Sequence, residues 1–337
     1  MLWLRASTVL EPDPLPYTLR TRDAPAAGIS RVVLQGREFV TVRRGLRVPS
    51  AVDPEHPDVR IAAVAAQLPE HSVIGGWAAA RLHERAAGRD TLEVFDGGRR
   101  WEEPMRGRRA DGPARILICA PRESRLALRA DVRVFRSPVR DDEVCFRSGV
   151  RVTSPLRTAL DLARLLPLAR ALVAVDRMLR LGLIDADDLA AMVDQRAGCR
   201  GRPAAQRVVG LMDGGAESPQ ETLMRCAWIA AGQPRPACNL VVRDGSGRFV
   251  GRVDLIDQVH GVVGEYDGAL HADAVRRSRD AQRQESLEEL GLVVARATSA
   301  DIDPNGRADR WQGRLRSAYR RAAGRAARDR RWVITAT

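Results

Sequence analysis

The chain has 337 residues, 45% of them hydrophobic, which is room for two or three domains with their own cores, and no apolar run approaches the roughly 18 residues of a membrane-spanning helix. Cys119, Cys145, Cys199, Cys226 and Cys238 are odd in number and lack CxxC spacing, so neither a disulfide framework nor a zinc site is expected, and a reducing cytoplasm fits. The formal net charge of +12 would ordinarily argue for a polyanionic partner, but the chain has no Lys and all of its 55 basic residues are Arg, a usage that looks like codon bias from a GC-rich genome, so the excess counts toward nucleic acid only where arginines cluster beside a plausible site.

In chain order, residues 1–18 form a Pro-rich arm whose apolar start is too short for a signal peptide. Thr21 is placed to cap a short helix ended by Gly28 and interrupted by Pro25. Ser30 can cap another helix ended by Gly36, and residues 39–49 alternate as a β-pair turning near Arg44 and Gly45. Helix, turn, helix and basic hairpin make a winged-helix pattern over residues 1–50, with Arg43 and Arg44 at the wing tip as DNA phosphate contacts. The plainer reading is a small β-rich motif with solvated arginines.

A mostly helical region is expected over 51–213. Its helices lie at 58–68, 77–87, 168–181, 185–196 and 204–212, and strand-like runs lie at 92–95, 116–120 and 132–135. Within RVTSPLRTALDLARLL, Ser154 and Pro155 form a strong helix start that turns Leu156, Ala159, Leu160 and Ala163 inward. Arg157 and Asp161 stand four apart, and an intrahelical ion pair explains them without invoking chemistry. Gly214 and Gly215 mark the boundary to a domain over 214–337.

The third domain carries the acids. Ser218 caps a helix over 217–231 with Pro219 in its first turn and Glu221 three residues past the cap, and a strand over 238–243 follows. Residues 249–256 and 262–267 alternate as two strands that pair around 257–261. Side chains repeat every two residues along a strand, so Glu265 and Asp267 point the same way, and a suitable register brings Asp254 within about 5 Å of one of them. Clustered carboxylates are tolerated when a divalent cation holds them, and hard oxygen ligands suit Mg²⁺ or Mn²⁺. Asp273 then caps a helix to Leu290, which places Arg276, Arg279 and Arg283 on one face for phosphate or for neighbouring acids, and residues 292–297 return as a buried strand. Overall the expected class is α+β.

The order α-β-β-β-α-β, with Asp254, Glu265, Asp267, Gly268, His271 and the Arg/Asp-rich helix of Arg279, Asp280 and Arg283, resembles the PD-(D/E)XK nuclease fold, and within it the relatives of the very-short-patch-repair endonuclease. That resemblance implies Mg²⁺-dependent phosphodiester hydrolysis on DNA. Asp254 and Glu265 would hold the metal, and Asp267 stands where the wider fold has a Lys. His271 would relay a proton or merely hydrogen-bond near the helix start, and Glu221 would support the metal or merely complete the cap. The winged pattern and TSPLRTALDLA resemble the AbiEi-type antitoxins, DNA-binding repressors, which implies operator DNA as a partner. Two functions therefore stand: a metal-dependent nuclease with an amino-terminal DNA-binding region, or an antitoxin-type regulator whose nuclease-like domain is degenerate.

Overall fold

The computed structural model describes residues 15, 18–88, 94–102, 112–124, 126, 129–268, 274–302, 308–325 and 331–335, with the backbone alone at 274–281. It is a mixed α+β chain that divides into two compact units, Met1–Leu166 with Leu181–Ala205, and Pro167–Arg180 with Gln206–Thr337.

The first unit opens on a three-stranded sheet, ordered β1-β3-β2, built from β1 (Leu19–Arg20), β2 (Phe39–Arg43) and β3 (Leu46–Pro49). Between β1 and β2 lies α1 (Arg31–Gln35), begun as expected by Ser30, whose hydroxyl accepts the Val33 N–H at 3.2 Å. The turn from β2 to β3 falls at Gly45, whose φ of 76° strongly favours glycine. Leu19, Ala24 and Leu34, with Ile29 and Phe39 against them, form its small core. The expected first helix is one 3₁₀ turn, Pro25–Ala27, because Gly28 ends it in the left-handed region three residues after Pro25.

Helices α2 (Pro57–Ala65), α3 (Gly76–Ala87) and α4 (Pro155–Leu165) accompany a second sheet. That sheet has the order β6-β5-β4-β8-β7, from β4 (Val73–Gly75), β5 (Ile116–Ala120), β6 (Val132–Arg136), β7 (Val144–Arg147) and β8 (Val150–Thr153). Strands β5 and β6 fall on two of the expected runs. In the third run Leu92 and Glu93 lie outside the described residues, and the buried Val94 and Phe95 are irregular chain. Strands β4, β7 and β8, of three and four residues, give the region more sheet than its sequence suggests.

The TSPLRTALDLA stretch is scaffold. Ser154 accepts the Arg157 N–H, and Arg157 is fully buried. Its guanidinium donates to Asp161 at 3.1 Å, Glu143 at 2.7 Å, the Ser137 hydroxyl at 3.1 Å and the Pro138 carbonyl at 3.0 Å. Arg164 pairs with Asp161 at 2.5 Å, and Arg196 pairs with Glu143. The ion pair read from the i, i+4 spacing is thus real, but it belongs to a buried network and not to a helix surface.

After α5 (Leu168–Arg180), α6 (Ala186–Gln195) and α7 (Arg202–Leu211), the second unit runs α8 (Pro219–Ala230), β9 (Ala237–Asp244), β10 (Phe249–Asp257), β11 (Val262–Asp267), α9 (Ala274–Glu289), β12 (Val293–Thr298), α10 (Asp309–Ala323) and β13 (Trp332–Thr335). From α8 to β12 this is the expected α-β-β-β-α-β order. The sheet runs β12-β11-β10-β9-β13, with only β11 and β12 parallel. Alternation divides its two faces: Val262 and Val293 pack with Trp228 of α8 and Trp311 of α10, while Val263 and Val294 pack with Leu287 of α9. Gly264 is required by the first face, since a Cβ there would lie 2.9 Å from the Trp228 ring. Helix α5 joins this unit through Asp176, which accepts from Arg225 at 2.6 Å, from the Thr222 hydroxyl at 2.9 Å and from the Asp213 N–H at 2.8 Å, with Asp176 and Arg225 both buried.

Candidate functional site

The β10–β11 hairpin pairs Leu255 with Gly264, Ile256 with Val263 and Asp257 with Val262. Extending that register by one residue sets Asp254 across from Glu265. There the ladder gives way, and the Tyr266 N–H donates to the Asp254 carboxylate at 2.7 Å. Burial pushes Asp254 above its ordinary value and the nearby Glu221 carboxylate pushes the same way, while the Tyr266 N–H, Arg283 and Arg252 pull it back.

Glu265 is buried and ion-paired to Arg283 of α9, whose guanidinium also donates to the Arg252 carbonyl at 2.6 Å. Gly251 makes room for this arm, because a Cβ there would lie 2.8 Å from Arg283 Nε. Glu221 completes the cap of α8: its carboxylate accepts from the Ser218 hydroxyl and the Glu217 N–H, both at 2.8 Å, and from Asn239 at 2.6 Å. Asn239 sits at φ 53°, a left-handed backbone that Asn tolerates better than most residues. Asp267 ends β11, exposed, across from Thr298 of β12.

The structure thus brings Asp254, Glu265, Glu221 and Arg283 together at the α9 end of the hairpin. Asp267 lies two residues further along the strand. His271 lies outside the described residues; Arg276 and Arg279 are on α9, but their side chains are not described. Among the described residues no group of three or more His, Cys, Asp and Glu side chains is placed to hold a metal ion. As arranged, the carboxylates do not fit a divalent cation: the positive charge beside Glu265 is the Arg283 guanidinium, so a metal there requires that arm to move.

Arg43 is mostly buried and paired with Asp131 at 3.1 Å, and burial lowers its pKa. Arg44 is exposed at the hairpin turn, its carbonyl accepting from Gln67 at 2.8 Å. Of the two expected wing-tip arginines, only Arg44 offers its guanidinium to solvent. Burial makes Cys119, Cys226 and Cys238 poor nucleophiles, pushing the Cys226 thiol up to about 12 and Cys119 and Cys238 higher still.

Sequence reasoning missed Asn239, Gly251 and the pairing of Arg252 with Glu217 at 2.6 Å. Nothing in the spacing signals them, because each depends on which strand residues lie beside α8 and α9. It also missed Asp257, which holds the far end of the hairpin by accepting from His260 at 2.8 Å and from the Tyr319 hydroxyl at 2.7 Å.

Asp254→Asn is expected to stabilise the protein at neutral pH. A carboxyl whose folded pKa is raised destabilises the fold once it ionises; this penalty is full above the folded value and absent below the unfolded one. Asn keeps an acceptor for the Tyr266 N–H and carries no charge. The gain in midpoint should therefore shrink as pH falls through the carboxylate range, and a variant less stable than wild type at pH 7 would refute this account of Asp254.

Residues 101–213 match the AbiEi antitoxin C-terminal domain family. Two uncharacterized proteins of Mycobacterium tuberculosis, from strains CDC 1551 / Oshkosh and H37Rv, are each 31% identical over 156 residues, or 46% of this chain and 57% of theirs. The chain thus spans little more than half the length of these relatives. No solved structure matches it. None of its described helices is long and apolar enough to cross a membrane.

Proposed function

We propose that this chain is a DNA-binding regulator of antitoxin type, whose amino-terminal winged motif reads operator DNA beside a toxin partner and whose nuclease-like domain is degenerate. The observation that carries this reading is the Arg283–Glu265 pair, which puts a protein cation where cleavage would need a metal. The likeness of residues 101–213 to the AbiEi antitoxin C-terminal domain supports it. So does α1, where Val32 is 81% exposed beside Arg31: an apolar tip of this kind suits a thymine methyl, and Arg suits phosphate or guanine.

In a binding assay by fluorescence anisotropy, the full chain should prefer duplex DNA from its own promoter over a scrambled duplex by about 10³-fold. Val32→Asp with Arg44→Ala should erase that preference. Equal affinity of wild type for both duplexes would end the regulator reading.

A second reading, a Mg²⁺- or Mn²⁺-dependent nuclease, is favoured by one observation: the hairpin register sets Asp254 across from Glu265, with Glu221 beside them. In it Asp254, Glu265 and Asp267 would hold the metal, His271 and Glu221 would support it, and Arg276, Arg279 and Arg283 would meet phosphate. Calorimetry with Mn²⁺ separates the two. The regulator reading expects no uptake by wild type at micromolar concentrations, whereas the nuclease reading expects uptake that Asp254→Ala abolishes, together with metal-dependent cleavage.

A further inference from the structure

The outer face of α10 takes no part in the site above, and its charge is one-sided. Its inner face, Trp311, Leu315, Ala318 and Ala322, is buried in the core of the second unit, with the Trp311 indole N–H on the Ala295 carbonyl at 3.2 Å. Among its other positions are Arg310, Arg314, Arg316, Arg320 and Arg321, all exposed, against a single acid in the helix, Asp309. At about 100° per residue, Arg310, Arg314 and Arg321 form one row and Arg316 and Arg320 a second, headed by Asp309, roughly 120° round the helix. Between the rows lie only Gly313, Ser317 and Gly324.

Arg314 is committed to Asp301 at 2.6 Å and to the Arg296 carbonyl. Arg310, Arg316, Arg320 and Arg321 make no ion pair or side-chain hydrogen bond among the described residues. Helix stability explains only part of them: Arg320 and Arg321 lie in the last turn, where the dipole favours cations, but Arg316 and Arg320 repel at i, i+4, and Arg310 sits in the first turn, where the dipole disfavours a cation. Helix α9 differs, for its sequence interleaves arginines with Asp280, Glu285, Glu288 and Glu289.

We infer that this face of α10 is a binding surface for the phosphate backbone of duplex DNA. Two rows of guanidinium groups flanking a strip of small residues let phosphate oxygens approach between them, and Arg forks match phosphate in bidentate geometry. The first row spans about 16 Å, long enough to run beside several phosphates at 3.4 Å rise per strand. An anionic membrane fits less well, because surface-seated helices insert an apolar face and the apolar face of α10 is already buried in protein. Contacts to phosphate carry no sequence information, so a surface used in this way adds affinity without sequence preference. The inference rests on the DNA-binding reading for the class of partner only.

The test measures binding of the full chain to an unrelated duplex of about 30 base pairs across a salt series. It compares wild type with Arg310→Gln/Arg316→Gln/Arg320→Gln/Arg321→Gln and with a charge-matched control, Arg122→Gln/Arg140→Gln/Arg207→Gln/Arg248→Gln, folding of each being checked by circular dichroism. Each phosphate contact contributes about 0.9 to the slope of log affinity against log salt, so the α10 variant should lose about 3 from that slope while the control loses less than 1. Equal losses in both variants, or none in the α10 variant, would overturn the surface while leaving promoter preference, and with it the regulator reading, intact. Failure of wild type to bind any duplex would overturn both. An RNA duplex or anionic vesicles bound more tightly than DNA through the same four arginines would overturn the choice of partner.

Discussion

Replacing Arg157 with Met should lower the stability of the protein by about 3 kcal/mol, the low end for breaking a buried ion pair by removing one partner. The guanidinium is fully buried and serves four acceptors, Asp161, Glu143, the Ser137 hydroxyl and the Pro138 carbonyl. Met fills much of the same volume but donates to none of them. The loss stays at the low end because Arg164 remains on Asp161 and Arg196 on Glu143, so neither carboxylate is stranded without a cation. The exposed pair of Arg252 with Glu217 gives the contrast: Arg252→Met should change stability by less than about 1 kcal/mol, since solvent screens that attraction. Urea unfolding followed by circular dichroism reads both, and similar losses for the two variants would show that burial does not govern these pairs.

The same contrast explains what was legible in the sequence. Ser30, Ser154 and Ser218 begin helices because capping is local, readable from a hydroxyl and the N–H three residues on. The hairpin of β10 and β11 was legible from period-two alternation and Gly261, and with it the approach of Asp254 to either Glu265 or Asp267, between which only the register decides for Glu265. What the site does with those acids was not. Arg283 reaches Glu265 from 18 positions away through space that the absent side chain of Gly251 leaves open, and no periodicity encodes that approach. Glu221 had both a local and a metal reading, and its three donors place it in the cap. Strands β4 and β13 escaped for another reason: runs of three and four residues are too short to display alternation, and their partners are distant in sequence.

The largest loss is expected from Arg225→Met, about 3–5 kcal/mol at neutral pH, because it leaves Asp176 buried with no cation beside it. Arg225 is the only cation paired with that carboxylate among the described residues, and the Thr222 hydroxyl and Asp213 N–H that remain are neutral donors. Burial already holds the Asp176 carboxyl above its ordinary range with the guanidinium pulling it down, so removing Arg225 raises the folded value further. The sign of the pH dependence follows. A carboxyl with a raised folded pKa contributes no penalty below its unfolded value, and the penalty grows as pH rises until the folded value is passed. The deficit of Arg225→Met relative to wild type should therefore be smaller at pH 5 than at pH 8. Adding Asp176→Asn removes the stranded charge while an amide oxygen still accepts from Thr222 or Asp213, so the double variant should be more stable at pH 8 than Arg225→Met alone. Urea unfolding of the three proteins at the two pH values measures all of this. A pH-independent deficit, or a double variant no better than the single one, would mean that Arg225 acts by filling volume and not by balancing the charge of Asp176.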